Sequence, residues 1–310
     1  ISLVFFTGTL FLGYLYAYLI SGLPWKNQAC IHIVFLSLAA VFVGSVAIFM
    51  HFAYPPLGWV LESDFVPVVR VLLALTVAIG IPYFLLSTTG PLLQQWYGAT
   101  EEEPYRLYAI SNLGSLIALS TYPFVIEPLF ALSVQQIIWA ILFLVCATFL
   151  IAITATLKRS ETSRKTTKAA VNIPLPRLTL WIFLATVPAA MLVATTSRIT
   201  QTIVPIPFLW VIPLALYLLT FIIAFRGRGG RRLAPTLTLV FAALLYYLLD
   251  LNIYDVAQEI TANLALFFFG SLYCHALLYK LRPDPEYLLF YYLWISLGGL
   301  VGTLSMSIIA

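Results

Sequence analysis

The stretch SVQQIIWAILFLVCATFLIAITATL, Ser133–Leu157, decides the fold. It contains no charged residue, and KRSETSRKTTK, Lys158–Lys168, follows it directly. A helix needs about 20 apolar residues to cross the roughly 30 Å hydrocarbon core of a bilayer, so this run is long enough to span one. Helices are the expected form because lipid offers unpaired backbone groups no partner. The same alternation recurs outward from this stretch. Of the 310 residues, 62% are hydrophobic and only 9% charged, and the charges are bunched between apolar runs. The chain reads as an all-α, polytopic integral membrane protein.

Punctuation by Pro, Gly and charge clusters divides it into about ten spans. These are Ile1–Ser21, Cys30–Ala53, Pro67–Ser87, Leu107–Ile126 and Ser133–Leu157, then Leu178–Thr196, Pro207–Phe225, Leu233–Leu249, Ile260–Leu278 and Tyr287–Ile309. Residues 1–157 form a first transmembrane bundle, 158–177 a basic cytoplasmic linker, and 178–310 a second bundle. Basic residues stay preferentially on the cytoplasmic side of a membrane, because translocating them is unfavourable. With Lys158–Lys168 there, strict alternation adds Lys26, Arg106, Arg177, the Arg226–Arg232 loop, Lys280 and Arg282. Arg70 and Arg198 fall on the opposite half, where the loops carry Glu62, Asp64, Asp255 and Glu259.

A net charge of +4 does not point to nucleic acid here, because the basic residues sit in short interhelical loops beside anionic head groups. Cys30, Cys146 and Cys274 lie within spans, without metal-ligand spacing, and read as small packing residues. The chain opens on Ile1 inside an apolar run and closes inside another, so it is expected to be part of a longer protein.

Pro82 and Pro188 interrupt apolar runs, and Pro205, Pro207 and Pro213 crowd the start of the seventh; each is expected to bend its helix. Gly298 and Gly302 form a GxxxG face that lets another helix approach closely. Asn112, with Ser111 and Ser115 beside it, is the clearest polar group at depth and is expected to hydrogen-bond between helices. Arg70, Glu127, Arg198 and Asp250 lie near span ends, where they either anchor at the interface or pair across the bundle. His32 and His51 stand too far apart on one helix to share a metal. His275 is expected to be a hydrogen-bonded core histidine; the alternative is an axial ligand to haem or a chlorophyll-type pigment. No cofactor or metal is otherwise expected.

Several segments carry a resemblance. They are Cys274-His275 with KLRPDP (Lys280–Pro285) and YLWISLGG (Tyr292–Gly299), together with GYLYAY (Gly13–Tyr18), YRLYAISNLGS (Tyr105–Ser115) and PFLWVIPLALY (Pro207–Tyr217). Together they resemble the membrane region of bacterial fused major-facilitator-like/spermidine synthase proteins. The resemblance implies a further membrane helix ahead of this region and a cytosolic aminopropyltransferase-like domain after it. There a Gly-rich turn would cradle the nucleoside cosubstrate and acidic residues would bind the polyamine. Gly227, Gly229 and Gly230 are not that turn, because they sit among arginines with no strand before them.

The expected function is a non-catalytic membrane module, an anchor or scaffold for neighbouring membrane subunits or for a synthase-like domain. A small-solute transporter, with polyamines as the candidate solute, and the membrane part of an intact aminopropyltransferase are the alternatives. Within Arg282-Pro283-Asp284-Pro285 the prolines predict a rigid turn, with Asp284 capping the next helix or pairing with Arg282.

Overall fold

The computed structural model describes residues 1–50, 58–61, 65–98, 104–156, 173–202, 210–227, 234–251 and 255–309. The Lys158–Lys168 linker, Pro205, Pro207, His51, Glu62, Asp64 and residues 228–232 lie outside them, as does the side chain of Asp250. Among the described residues the chain is helical throughout, with no strand.

The main helices are α1 (Ser2–Ile20), α2 (Trp25–Met50), α3 (Pro67–Tyr97), α4 (Tyr105–Thr121), α5 (Leu132–Thr156), α6 (Leu175–Thr202), α7 (Val211–Phe225), α8 (Ala234–Leu251), α9 (Val256–Lys280) and α10 (Leu288–Ile309). Eight apolar helical segments are long enough to cross a membrane, α4 through its continuation to Leu129 (Tyr105–Leu129), whereas Val211–Phe225 of α7 and Ala234–Tyr247 of α8 are shorter. Their faces explain the composition: large apolar side chains such as Leu38, Val41, Phe149, Phe183 and Leu239 stay exposed on the helix surfaces, as helices solvated by lipid require.

The prolines act differently from one another. A π-helical segment, Thr76–Gly80, comes just before Pro82 inside α3, and another, Tyr122–Ile126, just before Pro128 beyond α4. Each widened turn accommodates a proline that lacks an N–H and would press on the carbonyl four residues back. Pro213 falls in the first turn of α7, where the missing N–H has no helical partner to lose. No such interruption occurs at Pro188, and α6 runs through it as one 28-residue helix.

The helices gather into two compact units, 1–99 with 124–172 and 100–123 with 173–310. Helix α4, which precedes the basic linker in sequence, therefore belongs with helices that follow it. In the first unit α2 packs on α5, and α1 on α3. Its core holds Leu36, Ala39, Val43, Leu85, Ala140 and Phe143. Gly13 brings α1 against α3 so closely that a Cβ there would strike the Ser87 side chain.

In the second unit α6 lies against both α9 and α10, α8 against α9, and α7 against α4 and α9. Gly298 and Gly302 make the α6–α10 seam. A Cβ on Gly298 would come within 2.5 Å of the Ile182 carbonyl oxygen and 2.8 Å of Ala185 Cβ. One on Gly302 would strike the Thr186 carbonyl. The Thr186 hydroxyl donates across the seam to the Gly298 carbonyl at 3.0 Å. At the end of α7, Gly227 takes a positive φ of 72°, the left-handed terminus that glycine adopts without a Cβ clash.

Candidate functional site

Charge sorts the second unit end from end. Arg177 near the start of α6, Arg106 near the start of α4, Arg226 after α7, and Lys280 and Arg282 after α9 occupy one end. Arg198 near the end of α6 and Glu259 in the first turn of α9 meet at the other.

The turn between α9 and α10 is the most heavily tied part of the basic end. Arg177 Nη2 and Trp181 Nε1 both donate to the Leu281 carbonyl, at 3.0 and 3.1 Å. The Tyr105 hydroxyl reaches the Pro283 carbonyl at 2.8 Å, and the Tyr291 hydroxyl the Leu278 carbonyl at 2.7 Å. Carbonyls at the end of α9 have no helical N–H to accept from, so these side chains satisfy them in its place. Tyr105, Trp181, Tyr291 and Tyr292 form an edge-to-face aromatic cluster beneath the turn.

Arg282 does not pair with Asp284, and Asp284 does not cap the next helix through its side chain. Both expectations for that carboxylate are corrected. Arg282 instead folds back on its own helix end, donating from Nη1 to the Tyr279 carbonyl at 2.8 Å with its guanidinium 3.9 Å from the centre of the Tyr279 ring. Asp284 supplies only backbone to the following 3₁₀ turn, Pro285–Tyr287, because the turn accepts at the Asp284 carbonyl from Tyr287 N–H at 3.0 Å. Between this turn and the start of α4 lies a cavity of about 210 Å³, lined by Tyr105, Arg106, Tyr279, Arg282 and Asp284 with the flanking prolines.

His275 lies deeper, wholly buried on α9. Its Nδ1 is 2.9 Å from Thr220 Oγ1 of α7, and its ring stacks on Phe221 with centroids 3.6 Å apart. Nε2 has no hydrogen-bond partner among the described residues. The first unit holds a chemically parallel pair missed in the sequence: buried His32 of α2, with Nε2 3.1 Å from Thr89 Oγ1 of α3. Nothing in the spacing announces it, since the threonine lies 57 residues away.

Other expectations shift. Asn112 is half-buried and donates to the Tyr108 carbonyl of its own helix at 2.8 Å, with no interhelical bond among the described residues; Ser111 and Ser115 are exposed. The reason is geometric, because an amide on a helix reaches the carbonyl four residues back without needing a neighbour. Of the cysteines only Cys274 is buried, while Cys30 and Cys146 sit on the outer helix surface. Arg198 pairs with buried Glu259, which the sequence placed in an outer loop; Arg198 Nε lies 2.6 Å from its Oε1. Among the described residues no three His, Cys, Asp or Glu side chains converge as metal ligands would.

Compared with known proteins, the chain matches no family model, and no curated protein matches it.

Proposed function

We propose that the chain is a non-catalytic membrane module that anchors or scaffolds a larger assembly, as its likeness to the membrane region of spermidine synthase-like proteins implies. In this reading α1 to α10 all cross the bilayer as two bundles, with the basic end of the second bundle on the cytoplasmic side of the inner membrane. The observation that carries it is the clamped α9–α10 turn, fixed from α4, α6 and α10 by Tyr105, Arg177, Trp181 and Tyr291. A rigid, basic end is what a partner subunit or cytosolic domain needs as a seat. A transporter alternates between two packings of its helices, and the interlocked backbones at Gly298 and Gly302 oppose such sliding.

Purification of the tagged chain from its own membranes in mild detergent is expected to yield a particle larger than the chain, with a partner in fixed stoichiometry. A monodisperse single-chain particle that transports solute would overturn the proposal.

Two further outcomes follow. Single cysteines introduced at Ser160 and Arg228 are expected to resist a membrane-impermeant thiol reagent in intact cells and to react in inverted vesicles, because exporting that density of positive charge is unfavourable. Labelling of either from outside would reverse the orientation. Reconstituted protein is expected to show polyamine uptake at the liposome background, with no change in Glu127→Gln, since Glu127 is exposed beyond the end of α4. Saturable uptake abolished by that substitution would favour the transporter.

A further inference from the structure

The hydrogen bonds around His275 can be followed proton by proton. Thr220 Oγ1 lies 2.6 Å from the Tyr217 carbonyl oxygen and 2.9 Å from His275 Nδ1. A hydroxyl has one proton to give, and two oxygens 2.6 Å apart need that proton between them. Thr220 therefore donates to the carbonyl and accepts from His275. Full burial disfavours a charged ring, so the imidazole is the neutral tautomer with its proton on Nδ1. Nε2 is left as a bare acceptor, buried and without a partner among the described residues.

Ser271 stands one turn before His275 on α9 and is likewise wholly buried. Other hydroxyls of this unit give their proton to a carbonyl three or four residues back, as Ser296 does to Leu293 and Thr303 to Gly299. Ser271 Oγ makes no such bond and has no other partner among the described residues. Side chains on a helix lean towards its N-terminus, which carries the His275 ring over the Ser271 turn. Residues one turn apart hold their Cβ atoms about 5–6 Å from each other. Two hydrogen bonds of about 2.8 Å through one small molecule bridge a gap of that size. A bare acceptor beside a hydroxyl suits a molecule that donates and accepts through a single atom.

We propose that a buried water binds between Ser271 and His275, donating to Nε2 and accepting from the Ser271 hydroxyl. A buried water needs two to four polar partners, and these two groups supply the minimum. The water completes a relay from Ser271 through His275 and Thr220 to the Tyr217 carbonyl, tying α9 to α7. His32 repeats the proton order with its nitrogens exchanged. Thr89 Oγ1 donates to the Leu85 carbonyl at 2.7 Å and accepts from His32 Nε2 at 3.1 Å, so Nδ1 is the bare nitrogen there.

The test uses the full chain, isotopically labelled at the histidine ring nitrogens, reconstituted in lipid and observed by solid-state NMR. Resonances are assigned by their loss in His275→Gln and His32→Gln. His275 is expected to show a protonated Nδ1 and a bare Nε2, and His32 the reverse. The His275 Nε2 resonance is expected at the shift of a hydrogen-bonded acceptor and to appear when polarisation starts from water. Ser271→Ala is expected to remove both features. Thr220→Val is expected to move the proton to Nε2, where the water can accept it, while Thr220→Ser, which keeps the hydroxyl, is expected to leave the tautomer unchanged. A proton on Nε2 in the unmodified chain or in Thr220→Ser would overturn the relay. A bonded Nε2 that draws no polarisation from water would mean that Ser271 bonds it directly, and a signal unchanged in Ser271→Ala would remove the serine from the site; either result overturns the proposal.

Discussion

Gly302→Leu is expected to lower the thermal stability of the detergent-solubilised protein more than any other single change in the second unit. A Cβ at Gly302 already strikes the Thr186 carbonyl, and it would stand 3.0 Å from the Ala190 nitrogen and 3.1 Å from Ala189 Cβ. Two of these three atoms are backbone, so relief requires α6 and α10 to part. Separation would also break the Thr186 bond to the Gly298 carbonyl. Overpacking of this kind costs about 3 kcal/mol, at the upper end for an added side chain in a closed core. Gly299→Leu is the control, because a Cβ there meets nothing within 4 Å, and a change within about 0.5 kcal/mol is expected. His275→Gln is expected to fall between them at about 1 kcal/mol, since glutamine can still bond Thr220 but loses the stack on Phe221. Equal melting temperatures for Gly302→Leu and Gly299→Leu would sink the account of the seam. A visible chromophore lost only in His275→Gln would make the histidine a pigment ligand.

The contrast between Gly302 and Asn112 shows which features a sequence of this composition discloses. Apolar runs such as Ser133–Leu157 announce helices because lipid imposes a length and leaves backbone groups no other partner. The GxxxG spacing announces a face that permits close approach, yet it cannot name α6 as the helix that approaches. Partner choice rests on aromatic packing over long separations. Tyr105 and Tyr108 bring α4 to Tyr292, Phe221 and Phe225, residues that follow the basic linker, and no local pattern encodes that. Polar side chains are less legible still. Asn112, Asp284 and His32 each had several chemically reasonable partners, and only the folded geometry distinguishes a carbonyl one turn back, no partner, or a threonine on the next helix.

Arg198→Met is expected to give the second large loss, at the opposite end of the unit. It leaves the Glu259 carboxylate, 3% exposed, without the guanidinium that satisfies it. Breaking a fully buried pair from one side costs about 3–5 kcal/mol. Arg198 is 47% exposed here, so water already screens part of the interaction and about 2 kcal/mol is the expected loss. Glu259→Gln is expected to be milder, because the amide oxygen still accepts from Arg198 Nε at the position where Oε1 now lies 2.6 Å away, and no buried charge remains. Removing both charges, as Arg198→Met with Glu259→Gln, is expected to recover much of the loss, since no unpaired buried charge is then left. Thermal melts of the four proteins in one detergent close the cycle. Were Arg198 merely a head-group anchor at the end of α6, the two single changes would add and the double variant would be the least stable of the four.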